Sequence, residues 1–257
     1  MMLIRLLITL LVLTPFFSIV NIEAMDQATS VIIEEYEEDL TGDGRKDTIL
    51  LKGYHLSKNS HFYQAVWLEI IDEDDNQWRI DYGGAYDPTI MLVDLNHNHI
   101  PYLLFKKSLD EHGQTVTLLH SLINDEVQEM TVPKHNYISG AFQDDFIVNL
   151  QMFPHRQPIV IEVTQYATKY IEENIYTKDG KVKNQRKITV PQTDYEPIYI
   201  SKAKGFGLKS NQSIYGIDRY DELGKVESIW YLEENEWRQL RTRFIPIEEI
   251  NVPSTKK

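Results

Sequence analysis

Val31-Ile-Ile-Glu-Glu-Tyr-Glu-Glu-Asp-Leu-Thr-Gly-Asp-Gly-Arg-Lys-Asp-Thr-Ile-Leu-Leu-Lys-Gly53 is the stretch on which the reading turns. Its ends, Val31–Glu37 and Thr48–Gly53, carry the β-branched, aromatic and aliphatic residues that suit a half-buried pleated surface. Its middle, Asp39 to Lys46, is too polar and too rich in glycine for either regular element. The local plan is therefore strand, loop, strand. Within the loop, oxygen-bearing side chains recur at positions 1, 3, 5 and 9, namely Asp39, Thr41, Asp43 and Asp47. A hard cation such as Ca2+ takes six to eight oxygens, and a chain can wrap one only if alternate side chains turn inward while the backbone bends sharply. Gly42 and Gly44 allow that bend. Arg45, at position 7, is expected to offer its backbone carbonyl and leave its side chain free to point outward. Three carboxylates packed into nine residues repel one another, and a doubly charged ion offsets that repulsion. An EF-hand loop is excluded, because it needs a bidentate Glu at position 12, where this chain has Leu50 inside an apolar run.

The same register returns 55 residues later, from Asp39 to Asp94, in Met91-Leu-Val-Asp-Leu-Asn-His-Asn-His-Ile-Pro-Tyr-Leu-Leu-Phe105. Asp94, Asn96 and Asn98 stand at positions 1, 3 and 5, His99 replaces the second glycine, and Tyr102 replaces the last Asp. One formal negative charge survives, so this loop is read as a copy that keeps the turn and has lost the ion. The motif Asp-Leu-Thr-Gly-Asp-Gly-x-x-Asp before an apolar strand resembles the calcium loop of VCBS/FG-GAP-type repeats. Those repeats form β-propeller blades in integrin-like and bacterial extracellular proteins. The resemblance is strong over about twenty residues and weak over residues 28–146. It implies Ca2+ held by Asp39, Thr41, Asp43, the Arg45 backbone and Asp47.

Outward from these loops the chain reads as all-β. Period-2 alternation and turn punctuation mark strands at Phe62–Ile71, Gln77–Tyr82, Thr89–Val93, Tyr102–Lys106, Thr115–Leu122, Val127–Val132 and Phe146–Leu150. Later candidates are Ile159–Gln165, Tyr170–Thr177, Val182–Val190, Ile198–Ala203, Ser213–Arg219, Val226–Leu232 and Trp237–Phe244. Asp179-Gly180 is a two-residue hairpin signal. The strands fall in fours, over 28–87, 88–146, 147–203 and 204–250. This predicts a propeller-like array of about four four-stranded units, with two packed β-sandwiches as the alternative. No Pro-rich or Gly/Ser linker divides residues 25–257, which are read as a single domain.

Residues 1–24 have the form of a secretory signal peptide: Arg5 near the start, an apolar run from Leu6 to Val20, and Ala24 at the expected cut. No later stretch is long and apolar enough to span a bilayer. The expected place of the protein is therefore outside the cell, secreted or associated with the envelope, where calcium is plentiful. With 26 Lys and Arg against 39 Asp and Glu, the net charge is -13, and nucleic acid and anionic membranes are disfavoured partners. The cysteine count of 0 removes disulfides, thiol catalysis and thiolate metal sites.

Other constellations are weaker. His97 and His99 lack a third zinc ligand. Ser201-Lys-Ala-Lys204 has the letters of a penicillin-recognising Ser-x-x-Lys motif without its helix or partner motifs. Trp67, Trp78, Trp230 and Trp237 are candidates for an exposed stacking platform, with core packing as the alternative. The function expected is that of a non-enzymatic, calcium-stabilised β module that binds an extracellular protein or polysaccharide. An extracellular hydrolase with a structural calcium site is the alternative.

Overall fold

Four consecutive buried residues, Tyr102 to Phe105, show how the layers are stacked. In a strand successive side chains point to opposite faces, so an unbroken buried run must be covered on both. The computed structural model describes residues 30–57, 60–110, 114–134, 137–153, 157–191 and 193–247. The proposed signal segment, 1–24, lies outside them.

Seven antiparallel strands form one meander: Val31–Glu38 (β1), Asp47–His55 (β2), Phe62–Ile71 (β3), Gln77–Val93 (β4), Tyr102–Ser108 (β5), Thr115–Ile123 (β6) and Glu126–Met130 (β7). The sequence predicts two strands in Gln77–Val93, but the chain runs through as one 17-residue strand. Gly83 makes this possible: it takes φ +68 where the register against β3 slips, and the strand bends instead of ending. The bend folds the sheet over, so that β1 meets the second half of β4. There the Ile90 N–H donates to Glu34 Oε2 at 2.9 Å, and the Tyr36 hydroxyl donates to the Ile90 carbonyl at 3.3 Å. Ile49, Leu51, Leu68 and Ile70 pack against Ile90, Leu103 and Phe105 in the resulting core.

The opposite face of β5 carries Tyr102 and Leu104. With Val93 and Leu119 they meet Tyr195, Leu208 and Leu232 from a four-stranded antiparallel sheet. The strands of that sheet are Asp194–Ser201 (β11), Gly205–Tyr215 (β12), Glu222–Glu233 (β13) and Glu236–Pro246 (β14), and before them in the chain Ile138–Gln143 (β8), Ile147–Met152 (β9) and Ile159–Glu162 (β10) form a separate three-stranded sheet. A further core joins the three-stranded sheet to the far ends of β12 and β13, with Phe142, Val148, Leu150, Ile214 and Val226 at its centre.

All-β architecture with antiparallel sheets is therefore what the residues build. The grouping into fours does not appear: the sheets hold seven, three and four strands, and no closed ring of blades forms among the described residues. Two predicted strands are also replaced. Tyr170–Thr177 falls on a helix, Ala167–Glu172 (α1), which turns Tyr170 into the core at 0% exposure between Phe142 and Tyr176. Asn174, at φ +59, ends it in the left-handed conformation that suits a helix stop. Val182–Val190 is irregular and its β pairing is limited to isolated bridges, although the Asp179-Gly180 turn forms, with Gly180 at φ +78.

Candidate metal centre

The loop between β1 and β2 is built around three carboxylates. Asp39 accepts the Gly42 N–H at 2.6 Å on one oxygen and the Gly44 N–H at 2.9 Å on the other. Asp43 accepts the Arg45 N–H at 2.8 Å. Asp47, only 1% exposed, accepts the N–H groups of Leu40 and Thr41 at 2.7 and 2.9 Å. The Thr41 hydroxyl donates to Asp47 Oδ1 at 3.5 Å. Gly42 and Gly44 take φ +77 and +86, the left-handed region where a side chain would be strained. Leu40, with 0% exposure, anchors the loop in the core of the folded-over sheet.

These contacts bring Asp39, Thr41, Asp43 and Asp47 around one short turn. Burial pushes the Asp47 carboxyl above the usual carboxylate range, and the charges of Asp39 and Asp43 push it the same way, against the two N–H donors. Asp43 is held below the usual range by the Arg45 N–H and by the Arg45 guanidinium. A carboxylate has about four lone-pair directions. Asp39 and Asp47 each use two on backbone N–H groups, which leaves oxygen capacity for a hard cation. The same bonds also hold the turn by themselves. Among the described residues, no group of three or more His, Cys, Asp or Glu side chains is already disposed as a metal cage.

Arg45 departs from expectation. Its side chain does not simply point away: the guanidinium folds back onto Asp43 at 2.6 Å and bridges to Asp74 at 2.6 Å and Glu73 at 3.5 Å on the β3–β4 turn. A peptide carbonyl is separate from the guanidinium, so this pairing leaves the backbone oxygen of Arg45 unengaged by the side chain.

The loop between β4 and β5 repeats the frame. Asp94 accepts the His97 N–H at 2.7 Å and the His99 N–H at 3.0 Å, the same third and fifth residues onward that Asp39 caps. Asn98 accepts the Ile100 N–H at 2.9 Å, as Asp43 does for Arg45. His97 and His99 take φ +63 and +69, so both glycine positions are filled by histidine. The two loops touch, since a Cβ added to Gly42 would lie 2.5 Å from Ile100 Cδ1. The histidines do not converge as a zinc pair. His97 stacks on Tyr231 at 5.4 Å and fits the notch of Gly205, whereas His99 is exposed.

Other candidates resolve into structure. Ser201 Oγ accepts the Lys204 N–H at 3.2 Å in the β11–β12 turn. Trp67 and Trp230 are buried, and Trp78 and Trp237 donate to the carbonyls of Asp125 and Thr131, both at 2.7 Å. Among the described residues the most exposed aromatics are tyrosines and phenylalanines that sequence patterning does not distinguish, Tyr137 at 72% and Tyr220 at 81% among them.

Residues 136–245 match the family model of the YybI C-terminal domain. That span begins after β7 and leaves both loops outside it. No curated protein matches the chain. Two solved structures are similar to it: rhamnogalacturonan lyase YesW, at 13% identity and a TM-score of 0.37, and rhamnogalacturonan lyase PL11 from Bacillus licheniformis, at 12% and 0.36. In each case the match covers 84% of this chain and 34% of the other, so the chain spans about a third of the length of those proteins.

Proposed function

We propose that the protein is an exported, calcium-stabilised β module of VCBS/FG-GAP type that binds an extracellular macromolecule or serves at the cell envelope, without catalysing a reaction. The observation that carries the calcium part is the loop 39–47. Its three carboxylates are gathered around one turn, with an Asp47 carboxyl made costly to ionise by burial and by its acidic neighbours. Asp39, Thr41, Asp43 and Asp47 supply side-chain oxygens and Arg45 its carbonyl. The ion clips β1 to β2 at the end where Arg45 already reaches the β3–β4 turn. Its role is structural and constitutive, with an affinity in the range of about 10⁻⁴–10⁻³ M common to extracellular modules. In architecture we favour packed β-layers of the sandwich kind over a propeller, because β5 is covered on both faces.

The test joins metal analysis to melting. Protein held at equilibrium with millimolar calcium across a dialysis membrane is assayed for metal in excess of the dialysate, and its unfolding is followed with calcium and with EDTA. An excess of about one calcium per chain and a lower melting temperature in EDTA are expected. No heat on calorimetric titration and identical melting curves in the two buffers would remove calcium from the reading.

A further inference from the structure

The outward face of the three-stranded sheet carries a groove of about 680 Å³. Alternation along β9 sends Val148, Leu150 and Met152 into the core and leaves Asn149 and Gln151 on the outer side, beside Ser139 of β8. The floor is kept low by Ala141, which lies opposite Asn149 on this face. One wall is the irregular segment 185–188, tied to β8 by the Ala141–Lys187 bridge and by the Gln185 side chain, which donates to the Phe142 carbonyl at 3.0 Å. On the core face, where Gly140 pairs with Leu150, a Cβ on Gly140 would lie 2.8 Å from Ile188, which packs against the core and so seats the segment beside β8. Tyr137 stands at one end, 72% exposed, and its carbonyl accepts the Phe153 N–H at 3.1 Å.

The charge of the groove runs against that of the molecule. The chain holds 39 acidic residues against 26 Lys and Arg, yet the described lining contains Arg186 and Lys187 and no acid. Among the described residues Arg186 has one loose ion pair, 3.6 Å to Glu173, in which both side chains are half exposed. Lys187 has no carboxylate within ion-pair distance among the described residues. Screening over about 8 Å at physiological salt confines the general negative field, so a local pair of cations can still hold an anion. A guanidinium matches a carboxylate in two parallel hydrogen bonds. Carboxamides donate and accept at once, which suits neighbouring sugar hydroxyls, and an exposed phenol ring offers a flat surface to a sugar's C–H face. A shallow trough open to solvent also fits an extended chain better than a small molecule needing enclosure.

We propose that this groove binds a glycan containing uronic acid, with Tyr137 stacking on a sugar ring, Asn149 bonding its hydroxyls, and Arg186 with Lys187 holding its carboxylate. The proposal rests on the reading of the chain as a non-enzymatic binding module and is independent of the calcium loop.

The test uses the full exported chain on an array of glucuronate-, galacturonate- and mannuronate-containing oligosaccharides. Calorimetry in EDTA follows with the best ligand, its carboxyl-reduced neutral form and a decamer of polyglutamate. We expect binding about tenfold tighter to the acidic glycan than to the other two, a loss of about tenfold in R186A/K187A, and a weaker but measurable loss in Y137A. The substituted side chains are exposed, and unchanged melting confirms that the variants fold. Retention of no array member, equal affinity for the reduced glycan or for polyglutamate, or unaltered binding by both variants would overturn the groove. Recovered glycan is sized by mass spectrometry. Uncut glycan supports both the groove and the module, whereas bound and cleaved glycan keeps the groove and overturns the non-enzymatic reading.

Discussion

Replacing Asp39 and Asp94 by alanine, one at a time, separates an ion site from a turn. Each carboxylate caps the third and fifth N–H groups after it, at 2.6 and 2.9 Å in the first loop and 2.7 and 3.0 Å in the second. The hydrogen-bond loss is thus nearly matched, and in EDTA the two variants should be destabilised alike. Calcium breaks the symmetry. An ion that binds only the folded state stabilises it by RT ln(1 + [Ca2+]/Kd). For 10 mM calcium and a Kd of about 10⁻⁴–10⁻³ M this is about 1.4–2.7 kcal/mol, or roughly 3–10 °C in melting temperature for a chain of this size. The wild type and D94A should gain that increment on adding calcium, and D39A should gain none. The assay is thermal unfolding by circular dichroism in both buffers. Equal calcium responses in D39A and D94A would refute the reasoning, because the matched caps leave no other source for the expected difference.

Gly205 takes φ +60, and a Cβ there would lie 2.4 Å from His97 Nδ1. G205A should destabilise by roughly 2 kcal/mol or more in urea unfolding, and adding H97A should recover the steric part while the backbone part remains. Phe105 is 0% exposed and stacks on Tyr82 at 3.5 Å, so F105A should cost roughly 3–5 kcal/mol by the same measurement. His120 is held below the usual imidazole range by burial, with the Glu129 charge opposing. The unfolded chain therefore takes up this proton first as pH falls, and stability is lost from about pH 6.5 downward. H120L should flatten the stability profile between about pH 7 and 5, and an unchanged slope would show that His120 does not contribute to it.

Where sequence reasoning succeeded, the signal was local. Phe62–Ile71 is a strand over the whole predicted range because alternation and turn residues bound it on both sides. The loop 39–47 was legible because its spacing, glycines and charges belong to one short segment, and its offset copy at Asp94 has the same backbone frame. The failures needed information from elsewhere in the chain. Gln77–Val93 looks interrupted at Gly83-Gly84, yet β3 pairs with it through the bend. Tyr170 looks like a strand residue, but its place between Phe142 and Tyr176 requires a helical turn. Arg45 could not be placed from its own loop, because Asp74 on another hairpin decides where its guanidinium rests. The outer groove was invisible for the same reason: Tyr137, Asn149 and Arg186 are far apart in the chain and meet only when segment 185–188 lies against β8.

The two loops show how one frame serves two ends. At the ninth position the first loop has Asp47, whose buried carboxyl is raised by its own desolvation and by Asp39 and Asp43. That arrangement is electrostatically costly, and on the reading proposed above a cation would offset the cost. The second loop has Tyr102 there, 4% exposed and packed with Leu104 against Tyr195 and Leu208 of the four-stranded sheet. Its fourth position, His97, reaches the same sheet through Tyr231 and Gly205. Two substitutions, carboxylate to phenol and glycine to imidazole, remove charge and add interlayer contact without disturbing the cap made by Asp94. A loop that kept the ion would have to keep its ninth residue polar and its tip small, and so could not dock a second sheet in this way. Restoring the first kind of loop with Y102D should therefore separate the layers before it recruits calcium: a large loss of stability that added calcium does not recover is the expected result, and a variant as stable as the wild type would show that Tyr102 does not hold the sheets together.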